Sequence, residues 1–141
     1  MEAVIIYESL TGNTRHAARV IADVLFERQV PSRIFPVDGI EADVVAAADL
    51  VILGTWTDGA LIVGQRPAKR KKFARALPDL AGKPCALFCT YAITPGSTLA
   101  KFQQVAEDRG GRVVGGLAIR RDELDEGARD FIERVLAAVP A

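Results

Sequence analysis

The sequence predicts a three-layer α/β sandwich, a five-stranded parallel sheet with helices on both faces. Short apolar runs alternate with segments of helical period along the whole chain. The main apolar runs are continuous rather than alternating, as strands covered on both faces require. Five such runs and five helical segments are joined by short loops, the pattern of β–α–β crossovers.

Taken in order, Val4-Ile5-Ile6-Tyr7 is the first strand, and Asn13 to about Arg28 the first helix. In that helix Ala17, Val20, Ile21, Val24 and Leu25 form one apolar stripe. Ser32–Val37 is a second, more polar strand suited to a position near an edge, followed by a short helix over Glu41–Ala48. Leu50–Gly54 is the third strand, buried on both faces. A loop of about ten residues follows, and Pro67 suits the first turn of a helix that reaches Leu77. Cys85–Thr90 is the fourth strand, Ser97–Arg109 a helix and Arg112–Ile119 the fifth strand. The last helix covers about Leu124–Val139, with Ala128, Phe131, Ile132, Val135 and Leu136 on one stripe.

With 141 residues, 50% hydrophobic and 26% charged, the chain is expected to form one domain over 1–141 and not to be disordered. Its 18 basic and 18 acidic side chains cancel, which removes any global argument for nucleic acid or an anionic membrane. No apolar run approaches the roughly 18 residues of a membrane span. Met1–Ile6 lacks a basic n-region and reads as part of a strand, not a signal peptide. Two cysteines and no signal point to a cytoplasmic, reduced protein. Cys85 and Cys89, four apart on one strand, have Cα atoms about 13 Å apart, too far for a disulfide, and are expected in the core. His16 is the only histidine, which excludes a histidine zinc site and a catalytic triad.

Charge is balanced globally but not locally. Asp38 to Asp58 holds five acids and no base, whereas Arg66 to Arg75 holds six bases and no acid. Such runs are most simply solvated faces. The basic run opens a helix directly after the third-strand loop, so Arg66, Lys69 and Arg70 are expected nearest to any ligand there.

Parallel sheets of this class bind ligands beyond the carboxyl ends of their strands, where strand order reverses. Three loops lie there. The first, Ser9-Leu10-Thr11-Gly12-Asn13-Thr14, joins a strand to a helix. Its three hydroxyls, amide and glycine at a helix N-terminus form a neutral cradle for an anion. No Gly-Lys-Ser/Thr follows, so it is not a Walker loop, and it is not G-x-G-x-x-G. Capping the helix needs one such residue; four in six positions exceed that need.

These residues carry a resemblance. Ser9–Thr14 matches the hydroxyl–x–Thr–Gly–x–Thr phosphate loop of the flavodoxin family at each defined position, and the resemblance covers essentially the whole chain. It implies a sheet order of 2-1-3-4-5 and an FMN cofactor whose phosphate is held without a positively charged contact. The uninterrupted fifth strand resembles the short-chain branch. Thr55-Trp56-Thr57-Asp58-Gly59 is similar to the family's Thr-Trp-Gly-Asp after the third strand, which implies that Trp56 stacks on the flavin. In the family a peptide here turns over so that its carbonyl accepts a hydrogen bond from the reduced flavin. The β-branched Thr57 resists that conformation, and Gly59 is the alternative site for it, two residues on. Thr90-Tyr91-Ala92 resembles the second ring-contacting loop, with Tyr91 opposite Trp56.

The implied function is an FMN-binding electron carrier for redox partner proteins, a monomer that binds no nucleic acid and docks its partners at the basic run 66–75. Acids surround the flavin in typical members, so bases here are expected to raise the potential of the anionic fully reduced flavin. An FMN enzyme acting on a quinone or porphyrinogen is the competing reading, and a flavin-free interaction module the third. Response-regulator receivers share the fold, but their acidic pair, Asp and Lys are replaced by Tyr7-Glu8-Ser9, Gly54-Thr55 and Arg120. That last comparison excludes a receiver.

Overall fold

The computed structural model describes residues 1–58 and 64–139. The elements are β1 (Ala3–Tyr7), α1 (Asn13–Glu27), β2 (Ser32–Pro36), a 3-10 turn (Val37–Gly39), α2 (Ala42–Ala47), β3 (Leu50–Asp58), β4 (Arg66–Pro67), α3 (Arg70–Ala76), β5 (Pro84–Tyr91), α4 (Thr98–Asp108), β6 (Arg112–Arg120) and α5 (Leu124–Ala138). The parallel sheet runs β2-β1-β3-β5-β6, the expected order of the five principal strands, and β4 adds a short antiparallel pair on β3.

The continuous apolar strands are explained by two cores, one on each face. Successive strand residues point to opposite faces. Ile5, Ile52 and Phe88 therefore pack with Ile21, Leu25, Phe131 and Ile132 of α1 and α5. Val4, Ile6, Val51, Leu53 and Leu87 pack on the other face with Val45, Phe73 and Phe102 of α2, α3 and α4. Phe73 and Phe102 meet edge to face with centroids 5.1 Å apart. Gly54 makes room for a ring: a Cβ there would lie 2.0 Å from Phe88, which is fully buried and cannot withdraw. Both cysteines are buried and free, as the sequence predicts.

Three elements depart from the sequence reading. First, β3 continues through Thr55-Trp56-Thr57-Asp58, which the sequence reading assigns to a loop. Thr55 and Trp56 pair with Cys89 and Thr90 of β5, while Thr57 and Asp58 pair with Pro67 and Arg66 of β4. Long-range pairing on both sides overrides the local turn signal. Second, Pro67 sits in β4 rather than in the first turn of a helix, and α3 starts only at Arg70, after Lys69 in the left-handed region at φ 57°. The Thr55 hydroxyl donates to the Ala68 carbonyl, and the Ala68 N–H to the Trp56 carbonyl, both at 2.9 Å, which holds this stretch against β3. Third, β6 is continuous but carries a bulge: Cys85 pairs with Val113 and Ala86 with Gly115, leaving Val114 unpaired.

Parallel register aligns the carboxyl ends. Tyr7 of β1 is level with Gly54, and the Glu8 N–H donates to the Gly54 carbonyl at 3.0 Å. The segments after β1, along the end of β3 and after β5 thus emerge side by side. Among the described residues no helix is long and apolar enough to cross a membrane.

Candidate functional site

The loop after β1 is shaped by Gly12, whose φ of 96° lies in the left-handed region that favours glycine. It places Gly12 at the N-cap of α1, with no side-chain cap. Ser9 Oγ turns into the loop and accepts the Gly12 N–H at 3.1 Å and the Arg15 N–H at 3.4 Å. Among the described residues no protein acceptor serves the Asn13 and Thr14 amides between them. Asn13 Nδ2 donates to Thr11 Oγ1 at 3.4 Å. Hydroxyl donors, unserved amides and a helix N-terminus converge, which is the chemistry an oxyanion such as phosphate requires.

Thr14 is buried, and its hydroxyl is 3.0 Å from that of Thr90 at the end of β5. This bond ties the first loop to the third. A hydroxyl both donates and accepts, so one member of the pair still has capacity for a ligand. Trp56 and Tyr91 are half-buried, whereas Leu10 and Ile93 stand out at 71% and 66% exposure.

Together these segments wall a small open cleft of about 110 Å3. It is lined by Ser9, Leu10, Thr11, Asn13 and Thr14, by Trp56 and Thr57, and by Thr90, Tyr91 and Ala92. Three sequence candidates stand elsewhere. Gly12 lies behind the loop, Thr55 spends its hydroxyl on Ala68, and Asp58 faces Arg66 at 3.7 Å. Gly59 lies outside the described residues. The cleft also holds one residue the sequence reading missed: Arg121, just past β6, whose N–H donates to the Tyr91 carbonyl at 2.9 Å. The signal available was its place at the carboxyl end of the last strand.

Thr57 is held by the β4 ladder and by its own β-branch, and its buried hydroxyl has no partner of hydrogen-bond geometry among the described residues. Burial pushes the neighbouring Cys89 thiol up to about 12, and the Thr57 hydroxyl acts weakly in the opposite sense. Burial raises Cys85 likewise to about 12. Neither thiol is a nucleophile at neutral pH. His16 is not in the cleft; its Nε2 bonds the exposed Asp125 carboxylate and joins α1 to α5.

The basic run divides. Lys72 reaches back to Asp38 at 2.8 Å and Glu8 at 3.3 Å, and its ammonium pKa is raised above 10.5, chiefly by the hydrogen bond to Asp38. Arg66 is engaged with Asp58 and donates to the Gly64 carbonyl at 3.1 Å. Lys69, Arg70, Lys71 and Arg75 make no ion pair among the described residues and line a groove beside Asp58 and Pro67.

Comparison with known proteins agrees with this geometry. The family model described as a flavodoxin domain matches residues 4–109, more than half of the chain. A flavodoxin of Clostridium beijerinckii is 28% identical over 130 residues, covering 92% of this chain and 93% of that one. Oxidised flavodoxin 2 of Bacillus cereus superposes with a TM-score of 0.79 at 25% identity, covering 99% of this chain and all of that one. Two-electron reduced flavodoxin of Megasphaera elsdenii gives 0.72 at 26% identity, covering 91% of this chain and 98% of that one. A glycine-turned hydroxyl loop at the head of α1, beside Trp56 and Tyr91 on a β2-β1-β3-β5-β6 sheet, is thus accounted for: the chain belongs to the flavodoxin family and is an FMN-binding electron-transfer protein.

Proposed function

We propose that Ser9–Thr14 receives the FMN phosphate, that Trp56 and Tyr91 flank the flavin ring, and that redox partners with acidic surfaces dock at the 66–75 groove. The observation that carries the first two assignments is the meeting of ten candidate residues from three separate segments in one cleft. FMN supplies the electron chemistry, and the protein contributes binding, ring orientation and electrostatics. The unserved Asn13 and Thr14 amides and the Thr11 hydroxyl donate to the phosphate, and Thr90 steadies Thr14 from behind. The indole and phenol offer flat apolar faces to a ring lying between them. Exposed Leu10 gives the cleft an apolar edge against which a partner excludes water.

Support for acidic partners comes from four bases with no ion pair among the described residues, Lys69, Arg70, Lys71 and Arg75, in a groove that adjoins β3 next to the cleft. Opposite potentials steer encounter and fix orientation. The whole chain acts as one domain and as a monomer, and its buried, unbridged thiols suit a reducing cytoplasm.

Flavin binding to the apoprotein, followed by fluorescence quenching, tests the site. FMN binds far more tightly than riboflavin, and Thr11→Val lowers FMN affinity by about 1–3 kcal/mol while leaving riboflavin unchanged. Equal dissociation constants for the two flavins contradict the phosphate assignment.

A further inference from the structure

We propose that Arg121 supplies a cationic contact to the FMN phosphate, making this a flavodoxin that holds its cofactor partly by charge. The proposal rests on the phosphate assignment made for Ser9–Thr14.

Arg121 is the one charged side chain among the described residues that line the cleft; the others are hydroxyl, amide, aromatic or aliphatic. Its backbone is fixed. The Arg121 N–H bonds the Tyr91 carbonyl at 2.9 Å, and the Glu123 N–H closes a turn onto the Arg120 carbonyl at 2.8 Å. Its side chain has no such tie among the described residues. The adjacent Arg120 is committed to Asp122 at 2.6 Å and Glu123 at 2.8 Å, while the Arg121 guanidinium makes no hydrogen bond or ion pair among the described residues. The two neighbouring arginines thus differ: Arg120 closes the β6–α5 turn, whereas Arg121 lines the cleft with no ion pair among the described residues and only a weak through-space influence on Asp122.

The location favours the phosphate end. Arg121 lies just before α5, and α5 is joined at its first turn to the first turn of α1 by the His16–Asp125 bond. Five of the residues that share the cleft with Arg121 come from the loop that opens α1. The phosphate is the only charged group of oxidised FMN, and a guanidinium matches its oxygens with two parallel N–H donors. Because Arg121 is exposed and makes no ion pair among the described residues, no salt bridge among them has to break when it engages.

The test measures FMN and riboflavin dissociation constants for the unaltered apoprotein, Arg121→Gln and Arg121→Lys, each at low and high salt. Arg121→Gln is expected to weaken FMN about tenfold, to leave riboflavin unchanged and to flatten the salt dependence of FMN binding. Arg121→Lys restores the salt dependence but only part of the affinity, since it keeps the charge and loses the fork. The proposal is overturned if Arg121→Gln shifts both flavins alike or neither. It is also overturned if FMN affinity holds while the potential of the second reduction step falls, which would put the guanidinium at the ring. Loss of FMN-over-riboflavin preference in the unaltered protein is a separate result, and it strikes the Ser9–Thr14 assignment itself.

Discussion

At the scale of single residues, Thr57 stands where the motif that Thr55–Gly59 resembles has glycine. The β4 ladder and the β-branch both oppose rotation of its peptide, and its buried hydroxyl lacks a partner of hydrogen-bond geometry among the described residues. Strain of this kind is of order 1–3 kcal/mol. Thr57→Gly is therefore expected to widen the gap between the two one-electron reduction potentials of the FMN-loaded protein, measured by anaerobic spectroelectrochemistry. An unchanged gap would mean that the side chain does not govern this step. The cysteines provide a prediction with a definite sign. Burial raises both thiols from an ordinary 9.0 to about 12. An unfolded thiol ionises near 9.0 while the folded one keeps its proton, so this contribution to stability is complete below pH 9 and lost as pH climbs toward 12. Urea midpoints should fall above pH 9, and less steeply in Cys85→Ala. Iodoacetamide should label neither thiol in the folded protein at neutral pH.

At the scale of elements, the sequence is most legible where pattern and burial coincide. The stripes of α1 and α5 and the apolar runs of β1, β3 and β5 are local signals that the two cores then satisfy. Legibility ends where pairing partners are distant. Thr55–Asp58 reads as a loop because Gly54 and Asp58 punctuate it, yet Thr and Trp suit a strand once β5 and β4 flank them. Pro67 has the local mark of a helix start, and only its partner Thr57 reveals an edge position. Likewise the hydroxyl loop is recognisable from its spacing alone, whereas Arg121 enters the cleft only because β6 lies beside β5 and ends level with Tyr91. The latch on β4 is testable: Thr55→Val leaves the Ala68 carbonyl without its donor. It should lower stability by about 1–3 kcal/mol, read as a lower urea midpoint at unchanged slope.

At the scale of the whole molecule, zero net charge conceals a segregated surface. The expected role of Arg66 is reduced by its engagement with Asp58, and that of Lys72 by Glu8 and Asp38, so Lys69, Arg70, Lys71 and Arg75 carry the field. A charge about 10 Å from the ring contributes on the order of 0.4 kcal/mol in water, or roughly 10–20 mV. Replacing Lys69 and Arg70 with Gln is expected to lower the second reduction potential by tens of millivolts at low salt, and by much less at high salt. The same variant should slow association with an acidic redox partner. If potential and association rate are both indifferent to the change, the basic run is a solvated face.

The readings of the cleft and of the basic run depend on FMN, and on its phosphate, being what the cleft selects. The direct measurement is a competition: apoprotein is incubated with equimolar FMN, riboflavin and FAD, freed of unbound flavin, denatured, and the released flavin identified by chromatography. A hydroxyl-and-amide cradle that ends at α1, with Thr14 pinned by Thr90, should release FMN at about one per chain and little of the others. Release of riboflavin in equal amount, of FAD in preference, or of no flavin at all would contradict the account.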